Sequence, residues 1–241
     1  MRPDHYRRFS GAIVSGPYAG YFGTDMAEET SVMGVHFKPG GAFPFLGLAA
    51  DELADTHINL EDIWGQKADE LRERVSMEQS PRRRFRLLEE VLLSRLFQPW
   101  ELHPAVSLAL DRLPINTARS VVRNLVRESG LSNRWFVYVF RFQVGVKPKL
   151  FARIQRFQRV LSIMHCRPTL EWGQLALEQG YFDQSYLIRD FVAFSGLRQS
   201  PASGSRRSGE TALATTHNGF SPKNAAYALW GPRDQRTQLG N

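Results

Sequence analysis

Two short stretches of the chain carry side chains whose types and spacing suit the edges of base pairs. Asn133, Arg134, Val137, Tyr138 and Arg141 fall on one side of a helical repeat, and Gln184, Ser185, Ile188 and Arg189 fall on one side of a second. The carboxamide of Asn or Gln can pair bidentately with adenine and a guanidinium with guanine, while Val and Tyr can pack on thymine methyl groups. Plainer readings stand beside these: Arg134 and Arg189 touching phosphates alone, and Tyr138 packing on the following helix. Trp135 lies at the boundary of the outward face and reads as packing. Tyr186 lies at its margin.

A second set suits the sugar-phosphate backbone. Ser132, Lys147, Lys149, Arg153 and Arg156 are the candidates for phosphate contacts, which set affinity and salt dependence without choosing a sequence. Lys149, Arg153 and Arg156 follow one another at spacings of four and three, a single line along a helix.

What must position both sets is a repeated element. Asn124-Leu125-Val126-Arg127-Glu128-Ser129-Gly130-Leu131-Ser132 is matched by Gln174-Leu175-Ala176-Leu177-Glu178-Gln179-Gly180-Tyr181-Phe182. Gly130 and Gly180 are 50 residues apart, whereas Phe140 and Phe191, like Gly145 and Gly196, are 51 apart, so one extra residue sits in the second turn. Each copy predicts an amphipathic helix ended by a left-handed glycine, then a second helix opened by a capping residue, Ser132 or Asp183. The inward positions are Val121, Leu125, Phe136, Val139 and Phe140 in the first copy and Leu175, Ala176, Leu187 and Phe191 in the second. Two helices so joined are the sequence form of a helix-turn-helix, whose second helix can lie in a DNA major groove.

Between the copies the spacing predicts one long helix over 148–165, with Leu150, Ile154, Phe157, Leu161 and Met164 as its apolar stripe. At 1.5 Å per residue it is roughly 25 Å long, enough to hold two reading heads about one DNA turn, roughly 34 Å, apart. A plain core helix with its basic residues in water is the alternative.

Charge supports the division. The 241 residues carry a formal +7, but residues 1–114 hold 13 Lys+Arg against 17 Asp+Glu, residues 115–200 hold 13 against 5, and the remainder 5 against 2. The positive excess therefore lies on the repeated segment, where phosphates would be met. Composition is that of a packed globular protein, 42% hydrophobic and 23% charged. No apolar run approaches the roughly 18 residues a membrane span needs, and the start lacks a secretory pattern. The single cysteine, Cys166, excludes an intrachain disulfide and fits a reducing cytoplasm.

Upstream, Ala12-Ile13-Val14 and the run 32–37 predict strands among turn signals at Gly16-Pro17, Gly20 and Pro39-Gly40-Gly41. A helix is expected from Leu60 through Ile63, Trp64, Leu71 and Val75, with Glu61 and Asp62 favoured in its first turn by the helix dipole. Ser80-Pro81 predicts another with Phe85, Leu88, Leu92 and Leu96 on its buried face, and His103-Pro104 a shorter one through Val106, Leu110 and Leu113. Arg82-Arg83-Arg84 reads as a solvated run rather than a contact surface. Residues 202–241 have linker composition and are expected to be disordered.

The run Val144-Gly145-Val146-Lys147-Pro148-Lys149-Leu150-Phe151-Ala152-Arg153, with Gly180-Tyr181-Phe182-Asp183-Gln184-Ser185-Tyr186-Leu187-Ile188-Arg189-Asp190-Phe191 and Ser195-Gly196-Leu197, resembles the DNA-binding domain of the arabinose-operon-regulator (AraC/XylS) family of bacterial transcription factors. The likeness covers about residues 117–200. Gly34-Val35-His36-Phe37-Lys38-Pro39-Gly40-Gly41 and Leu60-Glu61-Asp62-Ile63-Trp64-Gly65 resemble the sensor region of one branch, which implies further strands upstream and hence a truncated start. Val126, standing where the second copy has Ala176, implies looser packing of the first unit. Gly196-Leu197-Arg198-Gln199 departs from the family's usual Gly-Leu-Ser-Pro.

Enzymatic chemistry finds no constellation. His5, His36, His57, His103, His165 and His217 show no metal-ligand spacing, Cys166 has no partner set, and Asp51-Glu52 and Glu61-Asp62 read as helix-start acids. No cofactor, metal or catalytic residue is assigned.

The expected fold is α+β: a β-strand plus helical sensor or dimerisation region at 1–113, an all-α domain of two helix-turn-helix units at 114–201, and the tail at 202–241. The expected function is sequence-specific regulation of transcription. Double-stranded DNA is the partner, RNA polymerase, a small-molecule effector and a second copy of the chain are candidate partners, and no membrane is involved. The alternative is a small-molecule-binding protein whose helical domain is structural.

Overall fold

The computed structural model describes residues 6–9, 11–25, 33–96, 101–113, 120–166, 171–196, 227–230 and 235–239. Helices dominate it, with antiparallel strands near the N-terminus, an α+β arrangement.

Strands β1 (Tyr6–Phe9), β2 (Ala12–Ser15), β3 (Phe22–Asp25), β4 (Met33–His36) and β5 (His57–Asn59) all lie in the first 59 residues. β2 and β5 pair antiparallel in a register that sets Ser15 opposite His57. Both residues are buried, and a 2.6 Å hydrogen bond joins Ser15 Oγ to His57 Nδ1. Tyr18 stacks on the imidazole at 4.7 Å, so this histidine is held within the sheet by a cross-strand bond and a ring contact.

Part of the 202–241 segment departs from its expected disorder. Its described residues form β6 (Tyr227–Trp230) and β7 (Gln235–Leu239). β6 lies between β4 and β2, and β7 between β1 and β3. Tyr227-Ala228-Leu229-Trp230 is an apolar, β-prone run followed by the turn signal Gly231-Pro232, and it stands out from the Ser, Gly and Arg around it.

The helix expected from Leu60 is two helices, α2 (Leu60–Trp64) and α3 (Gln66–Met77), because Gly65 between them adopts φ 59° and ψ −145°. Only glycine takes that conformation at little cost, and it breaks the α ladder. Glu61 and Asp62 do lie in the first turn of α2. Leu60, Trp64, Leu71 and Val75 pack with Ala12, Val14 and Phe37 and with the short α1 (Phe43–Leu46) into one core.

In α4 (Pro81–Ser94) the buried side is Leu88, flanked by Leu87, Val91 and Leu92, whereas Phe85 and Leu96 are exposed. Seven apolar residues between Phe85 and Leu96 cover more than one helix face, so spacing alone does not choose the face that meets α3. Ser80 holds the cap position without a side-chain cap bond.

α5 (Pro104–Arg112) begins with the His103 ring accepting a hydrogen bond from the Ala105 amide at 3.1 Å. Grouped by sequence with the N-terminal region, it packs instead with the first helix pair. Val106, Ala109 and Leu113 share a core with Val121, Leu125, Phe136 and Phe140. Gln143 ties the approach to α5 in place, accepting from the His103 amide at 2.9 Å and donating to the Glu101 carbonyl.

The N-terminal half abuts the repeated half at defined points. The Ala50 amide donates to the Phe142 carbonyl at 2.9 Å. The 16–21 loop is held by Asp55, whose carboxylate accepts from the Ala19 amide at 2.6 Å. That loop sets Pro17 against Gly145 and Tyr21 against Gly196. A Cβ on Gly145, at φ 91°, would lie 2.7 Å from the Ala50 carbonyl oxygen. One on Gly130, at φ 69°, would meet nothing. Gly130→Ala therefore carries only the left-handed penalty of about 1 kcal/mol, and Gly145→Ala is expected to cost at least about 1 kcal/mol more through overpacking. Paired urea denaturation curves check the difference; equal losses would mean the loop moves away freely.

Candidate nucleic-acid interface

The first unit is α6 (Val121–Ser129) and α7 (Asn133–Val144); the second is α9 (Trp172–Glu178) and α10 (Gln184–Ser195). Each begins its second helix as the sequence requires. The Ser132 hydroxyl accepts from the Trp135 amide at 3.2 Å, and the Asp183 carboxylate from the Tyr186 amide at 3.0 Å. Such caps satisfy amide donors that the first helical turn leaves free, each contributing about 1 kcal/mol. Gly130, Gly180, Gly145 and Gly196 are all left-handed, ending their helices at the places the repeat gives.

The inward faces are those the periodicity selects. Val121, Leu125, Phe136, Val139 and Phe140 are buried in the first unit, and Leu175, Ala176, Leu187 and Phe191 in the second. Val126 is only partly buried, whereas its counterpart Ala176 is fully enclosed, a looser contact at that position. α8 (Pro148–Cys166) joins the units, burying Ile154, Phe157 and Leu161 with Leu150 and Met164 partly covered.

With those faces inward, Ser132, Asn133, Arg134 and Tyr138 are exposed on the first unit, and Ser185 and Arg189 on the second. Val137, Gln184 and Ile188 are half-buried. Trp135 is half exposed rather than packed, and its ring stacks on Tyr138 at 5.1 Å. The Arg189 guanidinium lies 5.2 Å from the centre of the Tyr186 ring, a cation–π contact that limits its wandering.

Three arginines differ from a simple outward reading. Arg141 is exposed but turns to Asp51 of the N-terminal half, at 3.6 Å. Arg153 and Arg156 converge on Asp190, at 2.6 Å and 3.3 Å. Asp190 is 7% exposed and Arg156 17%, so α8 is tied to α10 by a largely buried ion cluster. The Arg156 guanidinium also lies 3.9 Å from the centre of the Tyr181 ring. Burial pushes the Tyr181 hydroxyl well above the ordinary phenol range, the Asp190 charge pushes the same way, and Arg156 partly offsets them. Burial likewise lowers the Arg159 guanidinium, and neighbouring Arg156 adds to the effect. Lys147 and Lys149 are exposed and form no ion pair among the described residues.

Asp190, Tyr181 and Phe182 are the site residues that spacing overlooks. Asp190 had a signal, a carboxylate set between Leu187 and Phe191 on the buried face of α10. Phe182 had another. Comparing Gly130-Leu131-Ser132-Asn133 with Gly180-Tyr181-Phe182-Asp183-Gln184 makes Phe182 the inserted residue of the second turn, and it is 74% exposed.

A family profile described as Domain of unknown function (DUF6597) matches residues 2–59, the strand-bearing region ahead of α2. No curated protein and no solved structure matches the chain. Among the described residues no helix is long and apolar enough to cross a membrane, and no group of His, Cys, Asp or Glu could hold a metal ion.

Proposed function

We propose that the chain is a sequence-specific DNA-binding regulator of transcription, of the arabinose-operon-regulator type, that reads two successive major grooves with α7 and α10. One observation carries the reading. Two capped helices, each the second of a glycine-turned pair on a common strut, bury their apolar sides and leave Asn133, Arg134, Tyr138, Ser185 and Arg189 in solvent. Those are groups able to pair with purine edges or pack on thymine methyls. The basic excess of residues 115–200 supplies attraction to the backbone.

In this reading the N-terminal half is a sensing or dimerising region, through which an effector or a second copy acts on the reading heads. RNA polymerase is the partner a bound regulator addresses, and no residue is assigned a catalytic role. Footprinting on promoter fragments, with competition by random duplex at physiological salt, tests the proposal. Protection of a segment spanning two consecutive major grooves, at least about a thousandfold preferred over random duplex, is expected. Equal affinity for all duplexes would remove the reading.

A further inference from the structure

The two helix-turn-helix units and α8 line a half-open cavity of about 510 Å³, a volume within the range of small-molecule sites. Its apolar lining comes from both units: Val121 and Val122 of α6, Ala152 of α8, and the aromatic rings of Phe182 and Tyr186. Four cations also line it, Lys149, Arg153, Arg156 and Arg189. The one carboxylate among the lining residues, Asp190, is already bonded through both oxygens to Arg153 and Arg156. The cavity thus has positive charge in excess, and Arg156 Nε is buried with no hydrogen-bond acceptor.

Phe182 is the informative residue. It is the single insertion separating the second turn from the first, and it lines the cavity while 74% exposed. Its ring meets Tyr186 edge-on at 6.1 Å, and Tyr186 in turn carries the Arg189 guanidinium. Aromatic rings beside guanidinium groups and an aliphatic wall suit a flat ring bearing a negative group. A backbone phosphate of DNA would satisfy the cations but would set the apolar lining of Ala152, Phe182 and Tyr186 against polar sugar.

We infer that this cavity binds a small aromatic anion, a planar ring carrying a carboxylate or phosphate. The ring lies against Phe182, Tyr186 and Ala152, and the anionic group meets Lys149, Arg153 and Arg156 of α8. Because Arg189 belongs both to the cavity and to the outward face of α10, such a ligand changes what α10 presents. The inference does not depend on DNA reading.

The test uses the full chain without DNA, titrated calorimetrically with 2-naphthoate, with neutral 2-naphthalenemethanol and inorganic phosphate as controls at matched ionic strength. Naphthoate is expected to bind, and the alcohol and phosphate roughly tenfold or more weaker, since each supplies only half of the recognition. Phe182→Ala and Lys149→Gln, both at exposed positions, are each expected to weaken naphthoate by roughly tenfold while circular dichroism stays unchanged. No binding at millimolar naphthoate, equal binding of the alcohol, or indifference to both substitutions overturns the inference. So does a Lys149→Gln effect confined to duplex DNA, which would make the cavity a seat for backbone phosphate. Naphthoate binding by a chain that ignores DNA would uphold the site and defeat the regulator reading.

Discussion

Replacing Asp190 with alanine is expected to lower the unfolding free energy by about 3–4 kcal/mol, because it strands a mostly buried guanidinium. Asp190 accepts Arg153 Nη2 at 2.6 Å and Arg156 Nη2 at 3.3 Å from α8. The two arginines are not equivalent. Arg153 is 46% exposed and can turn to water, so its share of the loss is small. Arg156 is 17% exposed and stacks on Tyr181, so it would keep its charge in a poorly solvated place, beside the Gly180 carbonyl, an aromatic face and the like charge of Arg159.

Asp190→Asn preserves the shape and one acceptor, and should fall between wild type and alanine. The double replacement Asp190→Leu with Arg156→Met removes both charges together and should recover most of the loss, since a well-packed apolar pair often matches a buried ion pair. Urea denaturation followed by circular dichroism and by tryptophan fluorescence measures all three. An Asp190→Ala chain that melts with wild type would show that the cluster is solvated decoration and that apolar packing alone fixes α10 on α8.

The same cluster shows where sequence is legible and where it stops. Phe136, Phe140, Leu187 and Phe191 could be placed inside, and Gly130 and Gly180 at helix ends, because helical period and glycine conformation are local properties written within a few residues. Arg153 and Arg156 read equally well as outward cations, because their partner is 34 to 37 residues away and spacing on one helix is silent about the next. Arg141 and Asp51 pair across the two halves of the chain for the same reason unannounced. The break at Gly65 was hidden differently: apolar positions on either side keep helical spacing, and a glycine is tolerated in such a pattern until ψ is known. α5 carried a correct helical pattern, but periodicity does not say which core a helix joins, and its face fits α6 and α7. Outward faces are thus inferred from inward ones, and salt bridges then decide which outward cations remain free.

That last step fixes the ranking expected among substitutions on the proposed reading faces. Arg189 makes no ion pair among the described residues, and its guanidinium is steadied over Tyr186. A steadied planar fork loses less entropy when it meets a guanine edge. Arg189→Ala is therefore expected to weaken the specific site by about 1–3 kcal/mol, roughly 5- to 150-fold, and to relax preference at one base pair. Arg141→Ala is expected to do less, because that guanidinium must first leave Asp51, although an exposed pair of this kind holds it by only about 0–1 kcal/mol. Lys149→Ala should differ in kind, weakening specific and random duplex alike and reducing the salt slope by about 1. Titrations of the three variants against the footprinted site, a site randomised at one position, and random duplex, each at several salt concentrations, separate these behaviours. If Arg189→Ala loses equally on every duplex, with a shallower salt slope, Arg189 is a phosphate contact. Sequence choice in the second groove would then rest on Gln184, Ser185 and Ile188, two of which are half-buried and less able to reach a base edge.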